Sequence, residues 1–561
     1  MRVRLMTIAL LLAVTVAPAT ASAAEPVMKL ADVRPGMECT ALSVIRGTAP
    51  SEFRISVIDV LRGDPEAVGA RILFRASGPA VDATGIGPGF SGSPIYCPDG
   101  AGVSRVAGAI SEGIGQYGNH VALATPIEEV LGVRPVAAPK ARKATALLRS
   151  ARPLASPLTV SGLSATMRRA VSAAASRTNR PLLAAPASPS AFYPPYAPTP
   201  GTSIAAGFST GDIALAAIGT VTYRDGDKLW AFGHPLEAAG RRSLPFLDAY
   251  VYSVIDNPVA FDEYTTTYKL ATAGRPVGTL TSDGLGAIAG RVGALPAMIP
   301  LTVQARNEAN GRTRTLRVDV ADERDLDLGS GLDEVGSLAA GEAMATVLGA
   351  APGQFMTSMC VRIDVRQRRK PIRFCQQYFD GYGPLDDLSS AFGLIDDYEF
   401  GPLGIRYISV RMRLRPTVRE AFIVGADAPR RVRRGERVRV ELKLQRSRAG
   451  RTRVSFPYRV PRDVKRGRQA LTIRGISSGG GIAALEDFLI ELFTGGGGGG
   501  PTRSVDDLAN RIAALGIPDG VRATFARKGK GPVVYSSKSM LIRGKTQIPM
   551  TVRPAAKAKK D

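Results

Sequence analysis

Residues Gly85 to Tyr96 read GIGPGFSGSPIY and set one serine, Ser91, between glycines. A serine nucleophile needs a tight turn and backbone N–H groups aimed at the charge that develops on the attacked carbonyl oxygen. Glycines suit both needs, because they accept positive φ and let the backbone pass close to a substrate. In GFSGSP the N–H groups of Gly89 and Ser91 would form the oxyanion hole, and Ser91 Oγ would attack. Ser93 is the weaker candidate. The alternative reading is a glycine-rich turn without chemistry.

A nucleophilic serine needs a base, and the chain holds only two histidines, His120 and His234. His234 stands in AFGHP, a Gly-His context at a strand end. His120, in YGNHVALA, lies on a strand candidate and reads as structural. Asp82 in ASGPAVDATG and Asp248 in LPFLDAY are the candidates for an orienting acid. No Cys-x-x-Cys motif or His-rich cluster points to a metal, and acyl transfer by serine and histidine needs no cofactor. The glycine run Gly495 to Gly500 lacks the Gly-Lys-Ser/Thr ending of a phosphate loop, which excludes nucleotide binding there.

These side chains must be positioned by a chain of 561 residues, long enough for several cores. Its hydrophobic fraction of 45% is that of a globular protein. The opening, MRVRLMTIALLLAVTVAPATASA, has arginines, a short apolar run and small residues, the pattern of a secretory signal peptide over 1–23 cleaved near Ala23. An exported protein in the extracellular space or cell envelope is expected. In that setting Cys39, Cys97, Cys360 and Cys375 favour two disulfides, paired in sequence order.

Period-two alternation in FRISVIDV, with Phe53, Ile55 and Val57 on one face, marks strands over 24–133. TPIEEVLG reads as a short helix with Thr125 as N-cap. Residues 134–200 are rich in Pro, Ala and Ser and read as a linker, with TMRRAVSAAASR as a short helix inside it. Order returns over 201–325, where Asp225-Gly226 signals a hairpin. A mixed β/α region follows over 326–425. Residues 426–552 carry RVRVELKL, with Val438, Val440, Leu442 and Leu444 on one face, and suggest a β-sandwich. They also hold a helix, SVDDLANRIAALGIP, capped by Ser504 and closed by Gly516 and Pro518. A basic tail occupies 553–561.

The net charge of +24 concentrates in Arg366–Arg373, Arg430–Arg453 and the tail. Behind a signal peptide, nucleic acid is not the expected partner. An anionic cell-wall polymer or membrane surface is, alongside a solvated basic face with no partner.

The residues PGMECTALSVIRGTAPSEFRISVIDVL, TGIGPGFSGSPIY, VAGAISEG and ATPIEEVLG, together with IGTVTY and AFGHP, resemble the SpoIVB-type serine peptidase family of sporulation factor IV B. The resemblance covers roughly 27–133 and 201–300. The family's Gly-Met-Ser-Gly-Ser-Pro motif appears with Phe90 in place of methionine. The resemblance implies a chymotrypsin-like double β-barrel, Ser91 as nucleophile, His234 as general base, a protein or peptide substrate, and signalling or self-processing. Two departures stand out. The serine element precedes the histidine element here, a permuted order, and the family's aspartate has no match in register. Fewer than about 70 mature residues precede Ser91, too few for a complete barrel, so the serine segment is expected to supply one half. The rival reading is a non-catalytic envelope protein that uses the same scaffold for binding; an esterase is a third.

Overall fold

A computed structural model describes residues 24–554 except 63–68, 115–119, 135–151, 154–157, 179–181, 186–191, 257–266, 327, 350–354, 380, 399, 402, 416–418, 448, 477–484, 495–501, 516–519, 526–532 and 538–539. The expected signal peptide, the six-glycine run, the Gly516–Pro518 helix end and most of the basic tail lie outside the described residues.

The molecule is mostly β. Its first strands are β1 (Glu38–Val44), β2 (Pro50–Leu61), β3 (Arg71–Ser77), β4 (Pro94–Pro98), β5 (Ser104–Gly113) and β6 (Val121–Pro126). Phe53, Ile55 and Val57 turn inward from β2, as their alternation predicts. The strands pair in the order β4-β1-β2-β3-β6-β5, and β4 also pairs with β5, so six strands close a barrel. The serine segment therefore closes one barrel of its own. The strands after Ser91 return to β1 and β3, which counting residues before the serine could not reveal. Cys39–Cys97 ties β1 to β4.

A second set comprises β7 (Ser203–Gly207), β8 (Ala214–Asp225), β9 (Lys228–Ala231), β10 (Gly240–Ile255), β11 (Tyr268–Asp283) and β12 (Ile288–Val292). They pair in the order β7-β10-β11-β12-β9-β8, and β7 also pairs with β8. The Asp225-Gly226 signal is a hairpin between β8 and β9, with Asp225 opposite Lys228 and Gly226 at φ 61°.

Much of 134–200 is built into the fold rather than free as a linker. Strand Leu158–Ser161 pairs with β8, and Leu182–Ala184 pairs with that strand. Between them runs helix Ala165–Arg177, whose N-cap Ser164 accepts a hydrogen bond from Met167 N–H. Met167, Val171 and Ala174 bury at helical spacing. Tyr193 and Tyr196 dock on β10 through hydroxyl bonds to the Asp248 carboxylate and the Ala249 carbonyl.

Beyond the rings, a six-strand sheet includes Met298–Asn307, Met356–Val365 and Ile372–Tyr378. Cys360 and Cys375 face each other across the last two strands and form the second disulfide. Helices Leu332–Leu348 and Gly383–Asp396 share its core. At the C-terminal end a four-strand and a five-strand sheet enclose one core containing Val438, Val440, Leu442 and Leu444. Ser504 caps helix Val505–Ala513 by accepting from Asp507 N–H. Among the described residues, no helix is long and apolar enough to cross a membrane.

Candidate active site

Between β3 and β4 the chain runs through the serine turn, where Gly85, Gly89 and Gly92 all hold positive φ. From Gly89 to Ser93 the backbone donors fall into two sets. Phe90 N–H donates to Gly87 O (3.0 Å), Gly92 N–H to Ile110 O (2.7 Å) and Ser93 N–H to Phe90 O (2.9 Å). The N–H groups of Gly89 and Ser91 donate to no partner among the described residues. Peptide geometry supplies the reason. In a trans peptide the N–H points opposite to the C=O. Pro88 O accepts from Lys269 N–H at 3.0 Å, which turns Gly89 N–H away from that contact. Phe90 O accepts from Ser93 N–H and also from Ser93 Oγ at 2.6 Å, which does the same for Ser91 N–H. Ser91 Oγ is buried and has no hydrogen-bond partner among the described residues.

His234 sits on the loop between β9 and β10. Phe232 (φ 72°) and Ala238 (φ 56°) are the non-glycine residues with positive φ among those described, and both belong to this loop. Such a conformation costs about 1–2 kcal/mol per L-residue, so the loop must be held from outside. Phe232 N–H donates to Thr220 O at 3.3 Å. Thr125 Oγ1 donates to Gly233 O at 2.6 Å, so Thr125 clamps this loop and does not cap the helix after it. The buried Asp283 carboxylate accepts from Leu236 N–H (2.7 Å), Glu237 N–H (2.8 Å) and Ala239 N–H (3.2 Å). Arg242 stands 3.8 Å from Asp283 and grips Glu323 with two nitrogens. His234 Nδ1 lies 2.7 Å from Pro235 O. A carbonyl only accepts, so Nδ1 carries a proton, and in the neutral ring this leaves the lone pair on Nε2, the tautomer a base requires.

The two loops meet back to back. Thr220 N–H donates to Ser91 O (2.8 Å), and Thr222 Oγ1 donates to Gly92 O (2.8 Å). A Cβ on Gly233 would come within 2.9 Å of Ile110 O, the same carbonyl that accepts from Gly92 N–H. The serine and histidine elements, 143 positions apart in sequence numbering (234 − 91), thus share one seam. Ser91 is 0% exposed and His234 is 2% exposed, and no hydrogen bond joins their side chains.

The acid candidates go elsewhere. Asp82 is exposed and accepts from Gly78 N–H at 2.7 Å. Asp248 is buried against Tyr193 OH (2.8 Å) and Arg275. Neither bonds His234, whose Nδ1 faces a backbone carbonyl instead. Ser93 is committed to the turn through Phe90 O, and His120 gives its carbonyl to Ala76 N–H. Among the described residues no group of three His, Cys, Asp or Glu gathers to hold a metal.

Sequence reasoning missed Asp283 and Lys269. Lys269 is 2% exposed and lies beneath the serine turn, its Nζ 2.7 Å from Ser43 Oγ and 3.3 Å from Thr220 Oγ1. Burial pushes its pKa down to about 7. The signal was present in YKLATAG: at period two Lys269 falls on the face of Ala271 and Ala273, which is buried. In comparisons with known proteins, the chain matches no family model, no curated protein and no solved structure.

Proposed function

We propose that the protein is an exported serine endopeptidase of the SpoIVB type, its two strand rings forming a chymotrypsin-like double barrel with the serine and histidine elements in permuted order. Ser91 Oγ attacks the peptide carbonyl and His234 Nε2 takes its proton. The oxyanion rests on Gly89 and Ser91 N–H. His234 returns the proton to the leaving amine, and water, activated by the same imidazole, then hydrolyses the acyl-enzyme. Pro235 O fulfils the orienting role that a carboxylate has in a triad. The observation that carries this reading is the agreement within one turn. Between Gly89 and Ser93, the N–H groups without a partner among the described residues are those of Gly89 and Ser91, and they accompany the unpartnered Ser91 Oγ. Buried polar groups are normally bonded, and exceptions call for a functional account. Because Ser91 and His234 are buried, the seam must open before a peptide can enter. A small fluorophosphonate tests the pair: wild type labels, while folded Ser91→Ala and His234→Ala do not. Absence of labelling in a folded wild type counts against the enzyme.

A second reading, docking of an anionic cell-wall polymer, rests on the C-terminal sandwich. There Arg437 stands opposite Arg459 on neighbouring strands, while Lys443 and Arg453, also opposite each other, are paired with Asp427 and Glu441. Like charges directly opposite are unfavourable, so the face is suited to an anion. Binding to teichoic-acid-like polyphosphate that weakens in Arg437→Glu/Arg459→Glu and in salt supports it; equal binding by that variant rejects it.

A further inference from the structure

We propose that Lys269 is the positioning residue of the oxyanion hole, holding the carbonyls of Pro88, Gly89 and Phe90 so that the N–H groups of Gly89 and Ser91 stay turned toward substrate. The proposal rests on the reading of Ser91 as nucleophile.

All three consecutive carbonyls of the turn lead back to this one residue. Pro88 O accepts from the Lys269 backbone N–H at 3.0 Å. Gly89 O accepts from Thr220 Oγ1 at 3.0 Å, and Thr220 Oγ1 accepts from Lys269 Nζ. Phe90 O accepts from Ser93 Oγ at 2.6 Å; Ser93 Oγ also lies 2.8 Å from Ser43 Oγ, which accepts from Lys269 Nζ. The lysine stem adds a steric floor: a Cβ on Gly89 would lie 2.9–3.1 Å from its Cβ, Cγ and Cδ.

Proton counting explains why an amine is needed. Ser93 has one proton and two acceptors in reach, Ser43 Oγ and Phe90 O. With Lys269 already donating to Ser43 Oγ, that oxygen competes less, and the Ser93 proton stays on Phe90 O. Thr220 is likewise supplied from Nζ and spends its proton on Gly89 O. The third ammonium proton meets the face of Phe90, whose ring centroid is 4.6 Å from Nζ. The Ser43 proton is left to Ser93 Oγ at 2.8 Å or Thr220 Oγ1 at 3.3 Å, and neither choice takes a proton from Phe90 O or Gly89 O; donation from the charged lysine is stronger than from the neutral amine. The groups facing Nζ are Ser43 from β1, Thr220 from β8, and Gly89 and Phe90 from the serine turn. Among the described residues no carboxylate or second cation joins them.

The test uses full-length mature wild type, Lys269→Met and Ser43→Ala, each checked for folding. Fluorophosphonate labelling is followed from pH 5 to 9, and the Lys269→Met crystal structure is determined. Lys269→Met is expected to label on the order of tenfold to a hundredfold more slowly, less than the roughly hundredfold to thousandfold lost when an oxyanion donor is removed outright, because the donors remain and only their aim is loosened. Ser43→Ala, which interrupts only the Phe90 arm, is expected to slow less. Wild-type labelling should fall as pH rises through about 7, where the amine loses its proton, and this limb should vanish in Lys269→Met. In the Lys269→Met crystal, the Ser93 Oγ–Phe90 O or the Thr220 Oγ1–Gly89 O contact should be broken. Unchanged rate and pH profile overturn the proposal, and so does a variant crystal in which both contacts persist. If wild type itself never labels, the Ser91 reading fails, and the variant crystal alone decides whether Lys269 orders the turn.

Discussion

Gly92 lies so close to Phe232 that a Cβ at position 92 would come within 2.4 Å of the Phe232 nitrogen and 2.1 Å of Thr220 O. This contact, backbone on backbone, is the joint between the serine and histidine loops. Gly92 also holds φ 90°, so any side chain there meets both strain and collision. Gly92→Ala is therefore expected to destabilise by about 3 kcal/mol or more and to abolish labelling of Ser91. Gly226, at φ 61° with nothing near its Cβ position, is the control. Gly226→Asn should cost less than about 1 kcal/mol. Urea denaturation of the two variants measures the difference.

Ser91→Ala should be as stable as wild type or more stable, by up to about 1 kcal/mol. Its Oγ is buried without a partner, so removing it relieves desolvation and breaks no bond among the described residues. Loss of labelling joined to unchanged or increased thermal stability is the signature of a residue kept for chemistry. A clear drop in stability would mean that the hydroxyl is structural.

Stability should depend on pH through Lys269. Its folded pKa, about 7, is depressed below the ordinary 10.5. Below pH 7 both folded and unfolded states carry the proton, and the cost of burying the charge is fully present. Between about 7 and 10.5 the unfolded state binds more protons, so stability rises with pH, by up to about 1.4 kcal/mol per unit. Subtracting Lys269→Met isolates this term, because other groups titrate equally in both proteins. The difference curve, from denaturation between pH 6 and 9, should climb above pH 7. A flat curve would show that the lysine is solvated.

Asp283→Ala leaves three loop N–H groups without their acceptor and Arg242 short of a carboxylate. The expected cost is about 3 kcal/mol, in the range for breaking a buried charged network. Asp283→Asn keeps one acceptor oxygen and should cost less. Labelling should fall in the same order. Equal stability of wild type and Asp283→Ala would remove the claim that this carboxylate holds the histidine loop.

How much of this was legible in the sequence follows from the range of each interaction. The Ser504 cap, the Asp225-Gly226 hairpin and the inward face of Val438, Val440, Leu442 and Leu444 are local, and pattern alone finds them. Both disulfides join the cysteines in the order the sequence favours, one of the three pairings that four cysteines allow. What stayed hidden is non-local. Closure of the first barrel depends on β4 meeting both β1 and β5. Thr125 has the composition of a helix cap, yet its hydroxyl finds Gly233 across the seam. The Pro/Ala/Ser stretch looks like a tether because its apolar residues are small, but Val160 and Met167 bury against partners that come much later in the chain. Asp82 and Asp248 have the right chemistry for an acid, and only the fold reveals that their oxygens are engaged elsewhere.

Each set of six strands satisfies its own ring of pairings within one continuous segment, 38–126 for the first and 203–292 for the second. Ser91 belongs to one and His234 to the other. The two strand sets are thus divisible at a point between them in the chain. Fragments separated between residues 134 and 152 would each retain a closed set of strands and neither would hold a complete pair. Their reunion would bring Ser91 and His234 back to one seam, and on the proposed function fluorophosphonate labelling would then report assembly of the two pieces.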